Sequence, residues 1–412
     1  MLQEDVIIIG AGQCGLAMSR ALTIRGVGHV VLDRGLAGNA WRTERWDSLS
    51  LLTPNWANGL PGAPYRGCDP DGFVPVGTFA SHLEAFVVSN SVPLHNLTAV
   101  SRVSATGGGY RVETNQGVFA GEAVVLANGA CALPKVPKLA ATVPSGIFQT
   151  TPSAYKRPSD LPEGGVLVVG ASASGVQLAR ELQLSGRPVT LATGGHLRLP
   201  RSYRGRDIEY WLHALGLMDE RFDQIDDLER ARRAPSPQLV GGTERVDLNA
   251  LQAIGVEIVG RFADIRDGRA LFSGGLPHVC ASADLKMHRL LDQIDAWAEG
   301  LGMIGALADP VRPETTRVRA EPKLSVNLTD GSIRSILWAT GYRPDFSWLD
   351  LPVFDPRGRL RHRGGVVDAP GLYALGLPLL RRRKSHQISG AGDDAADLSG
   401  HLLRHLNARR AA

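Results

Sequence analysis

The residues in this 412-residue chain best placed to do chemistry are small ones, spaced to hold a phosphate. In the run Gly10-Ala-Gly12-Gln13-Cys-Gly15 the first glycine permits a tight turn and the second lets backbone approach a pyrophosphate. The third lets a helix pack closely on the strand before it. A pyrophosphate held there meets free amide groups at the positive end of that helix. Asp33 follows 23 residues after Gly10, at the end of the next apolar run, where its carboxylate can accept hydrogen bonds from an adenosine ribose. Its plainer role is to cap a turn. Arg34 is a candidate contact on the same edge.

A second copy reads Gly170-Ala-Ser172-Ala-Ser174-Gly175. Serine replaces the middle glycine, which still admits a phosphate and adds a hydroxyl donor. The same 23-residue step from Gly170 reaches Thr193 and not a carboxylate. An acid there would repel a ribose 2′-phosphate; instead His196, Arg198, Arg201 and Arg204 follow. Arg198 and Arg201 are therefore expected to hold a 2′-phosphate by charge-assisted hydrogen bonds, which favours NADPH over NADH. The alternative is that these arginines face solvent.

The elements that must position these turns occur twice. Residues 6–22 and 166–182 resemble each other, each an apolar β-branched run too short for a helix, a small-residue turn, and then helical spacing. Each continues into a further strand, at residues 30–32 and 189–191, making two βαβ units of about 30 residues. Two later apolar runs end alike, in Ala127-Asn128-Gly129 and Ala339-Thr-Gly341-Tyr342. The proline-rich stretch 133–165 reads as the connection between two halves. Residues 204–237 read as a mostly helical charged insertion, 284–301 as an amphipathic helix, and 370–406 as a strand, a loop and a closing helix. The expected fold is α/β: two Rossmann-like dinucleotide-binding domains, the NADPH domain (156–330) inserted into an FAD domain formed by 1–155 and 331–412.

Composition excludes other classes. With 45 basic and 41 acidic residues the formal charge is only +4, too small a surplus to suggest nucleic acid as a partner. The four cysteines form no C-x-x-C pair, which argues against a metal site and a thiol relay. His401 and His405 are four apart but lie among leucines 402, 403 and 406, so they read as one face of a helix and no metal is expected. No apolar run approaches the ~18–20 residues of a membrane helix, and residues 6–9 are too short for a signal-peptide core, so the chain is read as cytoplasmic with no membrane partner.

Two dinucleotide sites in one chain imply a bound flavin at the first and a visiting nicotinamide at the second, because one hydride donor must meet one acceptor. With these motifs in place, the chain resembles the two-dinucleotide-binding-domain flavoproteins, and within them the flavin-containing monooxygenases and their Baeyer-Villiger relatives. The resemblance runs nearly the whole length. It is carried by both glycine motifs, Gly38-Asn-Ala-Trp41-Arg42, residues 46–54, Ala127-Asn128-Gly129, Ala339-Thr-Gly341-Tyr342 and Gly371-Leu-Tyr-Ala-Leu-Gly376. It implies FAD and NADPH as cofactors, and transfer of one oxygen atom from O2 to a small organic substrate through a flavin hydroperoxide. Trp41, Arg42, Thr53, Asn128, Gly129, Gly341, Gly376 and Asp393 join the cofactor candidates, and Asn55 is the candidate at the reactive edge of the flavin.

The linker departs from that family. Its Phe-x-Gly-x-x-x-His-x-x-x-Tyr/Trp signature, anchored on Tyr155, meets Thr151 at the histidine, Ile147 at the glycine and Ser145 at the aromatic. An NAD(P)H-dependent flavin reductase or oxidase, and a non-catalytic redox-sensing flavoprotein, therefore stay open beside the monooxygenase. A homo-oligomer is compatible with the chain.

Overall fold

The computed structural model describes residues 2–411. Two parallel sheets organise it, and they repeat one plan. In the first, the strands Leu94–His95, His29–Leu32, Leu2–Ile9, Gly117–Leu126 and Leu372–Ala374 lie side by side, all parallel. In the second, Glu257–Val259, Val189–Ala192, Gly165–Val169, Ile333–Trp338 and Phe148–Thr150 lie in the same order, also all parallel. Each sheet is accompanied by an antiparallel three-stranded meander at the corresponding place in the chain, continuous with the first sheet and a separate small sheet beside the second. In the first it runs through Val100–Thr106, Gly109–Thr114 and the start of Gly117–Leu126. In the second it runs through Phe262–Arg266, Arg269–Phe272 and Ser325–Asn327.

Apolar runs such as Val6–Ile9 and Val166–Val169 are buried on both faces, as helix-covered parallel strands must be. Register is set by those runs: Ile8 pairs with Val31 and Ile7 with Val124, while Val168 pairs with Leu191 and Leu337. The helices Gln13–Ile24 and Ala173–Leu184 cover their own sheets through Leu16, Ala17 and Met18, and through Val176, Leu178 and Ala179. The closing helix Ile388–Ala411 packs against the first of them, and Leu398, Leu402 and Leu406 complete the first core.

The sheets move both expected domain crossings. Phe148–Thr150 and Ile333–Trp338 both pair inside the second sheet, so the chain leaves the first unit before residue 148 rather than at 156. It returns after residue 338 rather than at 331. The fifth strand of the second sheet, Phe148–Thr150, comes from the start of that unit, and that of the first sheet, Leu372–Ala374, from after it. The excursion 204–237 is helical only at Ile208–Ala214 and Leu228–Ala231, and short 3-10 turns fill part of the rest. The amphipathic helix is longer than its sequence signal, Leu276–Gly300.

Candidate functional site

Each glycine turn sits beyond the carboxyl edge of its sheet, where α/β proteins bind ligands. Gly10 has φ +109°, and a Cβ there would stand 2.5 Å from the Ala127 carbonyl oxygen. A Cβ on Gly15 would stand 1.8 Å from the Gly10 carbonyl oxygen, so helix and strand are in direct backbone contact. A Cβ on Gly12 would meet nothing within 4 Å, which leaves an open cradle over the helix start, where no side chain caps the first amides. Those donors suit a pyrophosphate. Asp33 closes the cradle by accepting from the Ala11 amide at 2.7 Å and the Gly35 amide at 2.9 Å, and burial raises its pKa.

The second turn copies the first. Gly170 has φ +108°, with a virtual Cβ 2.4 Å from the Ala339 carbonyl oxygen, and that of Gly175 lies 1.8 Å from the Gly170 oxygen. Ser172 has φ −84° and ψ −174°, against −80° and −175° for Gly12, so the serine takes up the same backbone path. Its hydroxyl caps no amide, and Ser174 is half-buried beside it.

The other candidates divide. Gln13 accepts from the Trp41 indole at 3.2 Å, and Trp41 packs edge-on against Phe79. Gly376 (φ +75°) lies against Cys14, with a virtual Cβ 2.8 Å from its sulfur, so the exit of the last strand abuts the first turn. Burial, reinforced by the nearby Asp394 carboxylate, pushes the Cys14 thiol up to about 12, and it packs as a small apolar residue. Gly129 and Gly341 end corresponding strands at φ +83° and +90°, with open space above each, and Asn128 donates to the Asp345 carbonyl at 2.7 Å. Arg34 pairs with Glu44 and Arg42 with Glu84, while Thr53 donates to Asn58.

Four expectations need correction. Arg198 is 1% exposed: its Nε and Nη2 donate to Asp247, and its Nη1 to Asp284 and the Glu314 carbonyl, so four of its five N–H donors are spent inside the fold and the buried group is not presented to a phosphate. Arg201 holds Asp207 with two nitrogens and the Leu52 and Val240 carbonyls with the third, and its guanidinium lies over the Phe73 ring. Asn55 is buried, and both ends of its amide are engaged, Nδ2 on the Asp69 carbonyl and Oδ1 on the Val74 amide, so it braces a loop rather than presenting its amide at an open edge. Asp393 lies in the second turn of the closing helix, which starts at Ile388, and its carboxylate pairs with Lys384 at 2.7 Å.

The chain supplies a different cation at the second site. Arg261 follows Glu257–Val259, the strand beside Val189–Ala192, and its Nε lies 3.3 Å from where a Cβ of Gly194 would be. It is exposed, and among the described residues no acid pairs with it. Thr193, the counterpart of Asp33, is fully buried with its hydroxyl unpartnered, while burial holds His196 below its usual range and so uncharged. The signal for Arg261 is the β-branched run Val256-Glu-Ile-Val259 ending in Gly-Arg, which carries this meaning only once that run is seen as a neighbouring parallel strand.

The two halves meet at these edges. The Leu52 carbonyl takes the Arg201 hydrogen bond, and a Cβ on Gly241 would stand 2.5 Å from the Leu51 oxygen. Gln238 donates to the Ala171 carbonyl within the second turn, and Lys156 in the linker donates to the carbonyls of Thr43 and Arg45 near Trp41. All four cysteines are free. No helix among the described residues is long and apolar enough to cross a membrane.

Residues 7–228 match the family described as pyridine nucleotide-disulphide oxidoreductase. An uncharacterised CzcO-like oxidoreductase of Geobacillus kaustophilus is 30% identical over 404 residues, spanning 97% of this chain and 99% of that protein. A probable indole-3-pyruvate monooxygenase, YUCCA4 of Arabidopsis thaliana, is 30% identical over 208 residues, covering 48% of this chain and 49% of its own. Among solved structures, the flavin-containing monooxygenase of Stenotrophomonas maltophilia shares the fold with a TM-score of 0.69 at 18% identity, over 98% of this chain and 99% of that one. The duplicated turns, their parallel sheets and these matches agree: the chain belongs to the pyridine nucleotide-disulphide oxidoreductase family and is a flavin-monooxygenase-like flavoprotein, an oxidoreductase whose cofactors are FAD and NADPH.

Proposed function

We propose that the protein is an NADPH-dependent monooxygenase that places one oxygen atom from O2 on a small organic substrate, the other leaving as water. The observation that carries this reading is the pair of phosphate cradles on sheet edges that meet at one junction, with four unpaired cysteines and so no disulfide to take the electrons. Bound FAD would supply the hydride acceptor and the partner for O2. The chain's own residues bind and orient. The Gly12 cradle and the helix start behind it take the FAD pyrophosphate, and Asp33 takes its ribose. Gly170, Ser172 and Gly175 do the same for NADPH, with Ser172 adding a hydroxyl donor. Arg261 meets the 2′-phosphate, the group that distinguishes NADPH from NADH, where an acid at 193 would repel it.

Residues 50–52 and 240–242 bring the two units into direct contact between the two cradles, which would hold the two cofactors at a fixed approach. Anaerobic mixing of the yellow protein with NADPH should bleach the flavin, and re-oxidation by 18O2 with substrate present should give singly labelled product, one per NADPH. Hydrogen peroxide in equal yield with unlabelled product would instead make the protein a reductase or oxidase. Flavin that NADPH leaves yellow would make it a sensor.

A further inference from the structure

Glu209 is a buried carboxylate with an oxygen, Oε1, to which the fold gives no hydrogen bond. It lies on the helix Ile208–Ala214 and is 5% exposed. Among the described residues the group that can carry positive charge within 4.0 Å of it is His213, one turn on, whose Nε2 stands 3.5 Å away and is also buried without a partner. The acids around it are otherwise matched: Asp207 holds Arg201, Asp219 holds Lys384, and Glu220 holds Arg383.

The position matters as much as the missing partner. The Trp56 ring meets the His213 imidazole edge-on with centroids 5.4 Å apart, and Trp56 belongs to the first unit, on the loop that follows Thr53. His386, also of the first unit, ends the turn Arg383–His386 that leads into the closing helix, and burial holds its pKa below the usual histidine range, with the Arg383 backbone and then the Glu209 charge acting the other way. Glu209 and His213 come from the second unit, on the excursion that Arg201 ties to the Leu52 carbonyl. The neighbouring loop is tied to the Gly170 turn by Gln238. The cluster therefore lies at the junction of the units.

Burying a carboxylate without compensation costs several kcal/mol, and native structures keep such a group where something outside the chain satisfies it. A carboxylate whose histidine neighbour packs against an indole ring suits a donor head group on an apolar body, above all a cationic one. A second carboxylate would meet like charge in a dry site. We propose that Glu209, His213 and Trp56 form the site that recognises the substrate's head group, taking a small apolar molecule that ends in an N–H or O–H donor and rejecting one that ends in a carboxylate. This rests on reading the protein as a flavoenzyme for small molecules.

Benzamidine and benzoate have nearly the same shape and differ in head group. Each is titrated by calorimetry into the oxidised, FAD-loaded protein without NADPH, and His213 is followed by 15N NMR of labelled histidine. Benzamidine should bind at least about tenfold more tightly than benzoate and shift the His213 resonances, and Glu209→Gln should bring the two affinities within about threefold. Benzoate binding as well as benzamidine, an unchanged ratio in Glu209→Gln, or neither probe binding at about 1 mM would overturn the proposal, the last leaving a buried water as the partner of Glu209. If Glu209→Gln does not retain FAD, the wild-type protein decides: unshifted His213 resonances with benzamidine overturn it. Because no readout involves O2 or NADPH, a protein that passes here but yields unlabelled product from 18O2 keeps this site and loses only the oxygen-transfer reading.

Discussion

Arg198 spends every guanidinium nitrogen inside the fold, on Asp247, Asp284 and a carbonyl, whereas Arg261 projects from a sheet edge with no acid paired to it. The two should fail differently. Arg198→Ala takes the buried guanidinium from Asp247, which keeps Arg245 and the Ala250 amide, and from Asp284, which keeps Thr316, and should cost about 3 kcal/mol in denaturant unfolding, with the NADPH affinity of the surviving folded fraction unchanged. Arg261→Ala should leave the unfolding midpoint in place and weaken NADPH binding to the oxidised protein about tenfold by calorimetry, leaving NADH where it was. Equal weakening of both coenzymes would assign Arg261 to some other part of the nucleotide. From the sequence alone these arginines are indistinguishable, because a basic residue near a glycine motif carries no record of which acids the fold will bring to it. Asp247 and Asp284 lie 49 and 86 residues from Arg198.

At the scale of the turn, glycines in one motif do different work, and alanine tells them apart. Gly15→Ala puts a methyl 1.8 Å from a backbone oxygen, which no rotamer can relieve, so strand and helix must separate and the protein should be recovered largely insoluble. Gly12→Ala meets nothing in the protein and should fold with unchanged circular dichroism, yet its methyl fills the cradle and the purified protein should be colourless. A yellow Gly12→Ala protein would remove the pyrophosphate from that position. The turns were readable beforehand since their chemistry is local, each glycine answering a backbone demand of its neighbours. The loop role of Asn55 was not, because its two partners come from the Asp69 carbonyl and the Val74 amide across a turn with no sequence signature.

Across the whole molecule the excursion 204–237 acts as a clamp. Arg383 pairs with Glu220 and Lys384 with Asp219, the Phe222 amide donates to the Arg381 carbonyl, and Arg232 donates to the Leu379 carbonyl, joining the second unit to the last third of the first. His362, on a hairpin in that last third, is held down to about 4 by burial, with the Arg232 guanidinium adding to the effect. A histidine kept neutral in the folded state contributes its full stability above its unfolded value of 6.5 and loses it as the pH falls toward 4. That shift corresponds to about 3 kcal/mol. Thermal unfolding followed from pH 7 to pH 4 should therefore fall less steeply in His362→Gln than in the wild type, and superimposable acid limbs would show that His362 is not the group responsible.

Residues close in sequence determined the βαβ units, the two glycine turns and the family they announce, because a strand, a turn and a helix within about 30 residues express themselves through local periodicity and backbone sterics. Pairing across long separations was decided only by the tertiary structure. It placed Ile333–Trp338 in the second sheet rather than the first, gave Arg198 and Arg201 to internal acids, and brought Arg261 to the edge beside Gly194. It also left Glu209 buried at the junction, its Oε1 without a hydrogen bond. Which charges neutralise one another depends on distances in the folded chain, and periodicity holds no information about those.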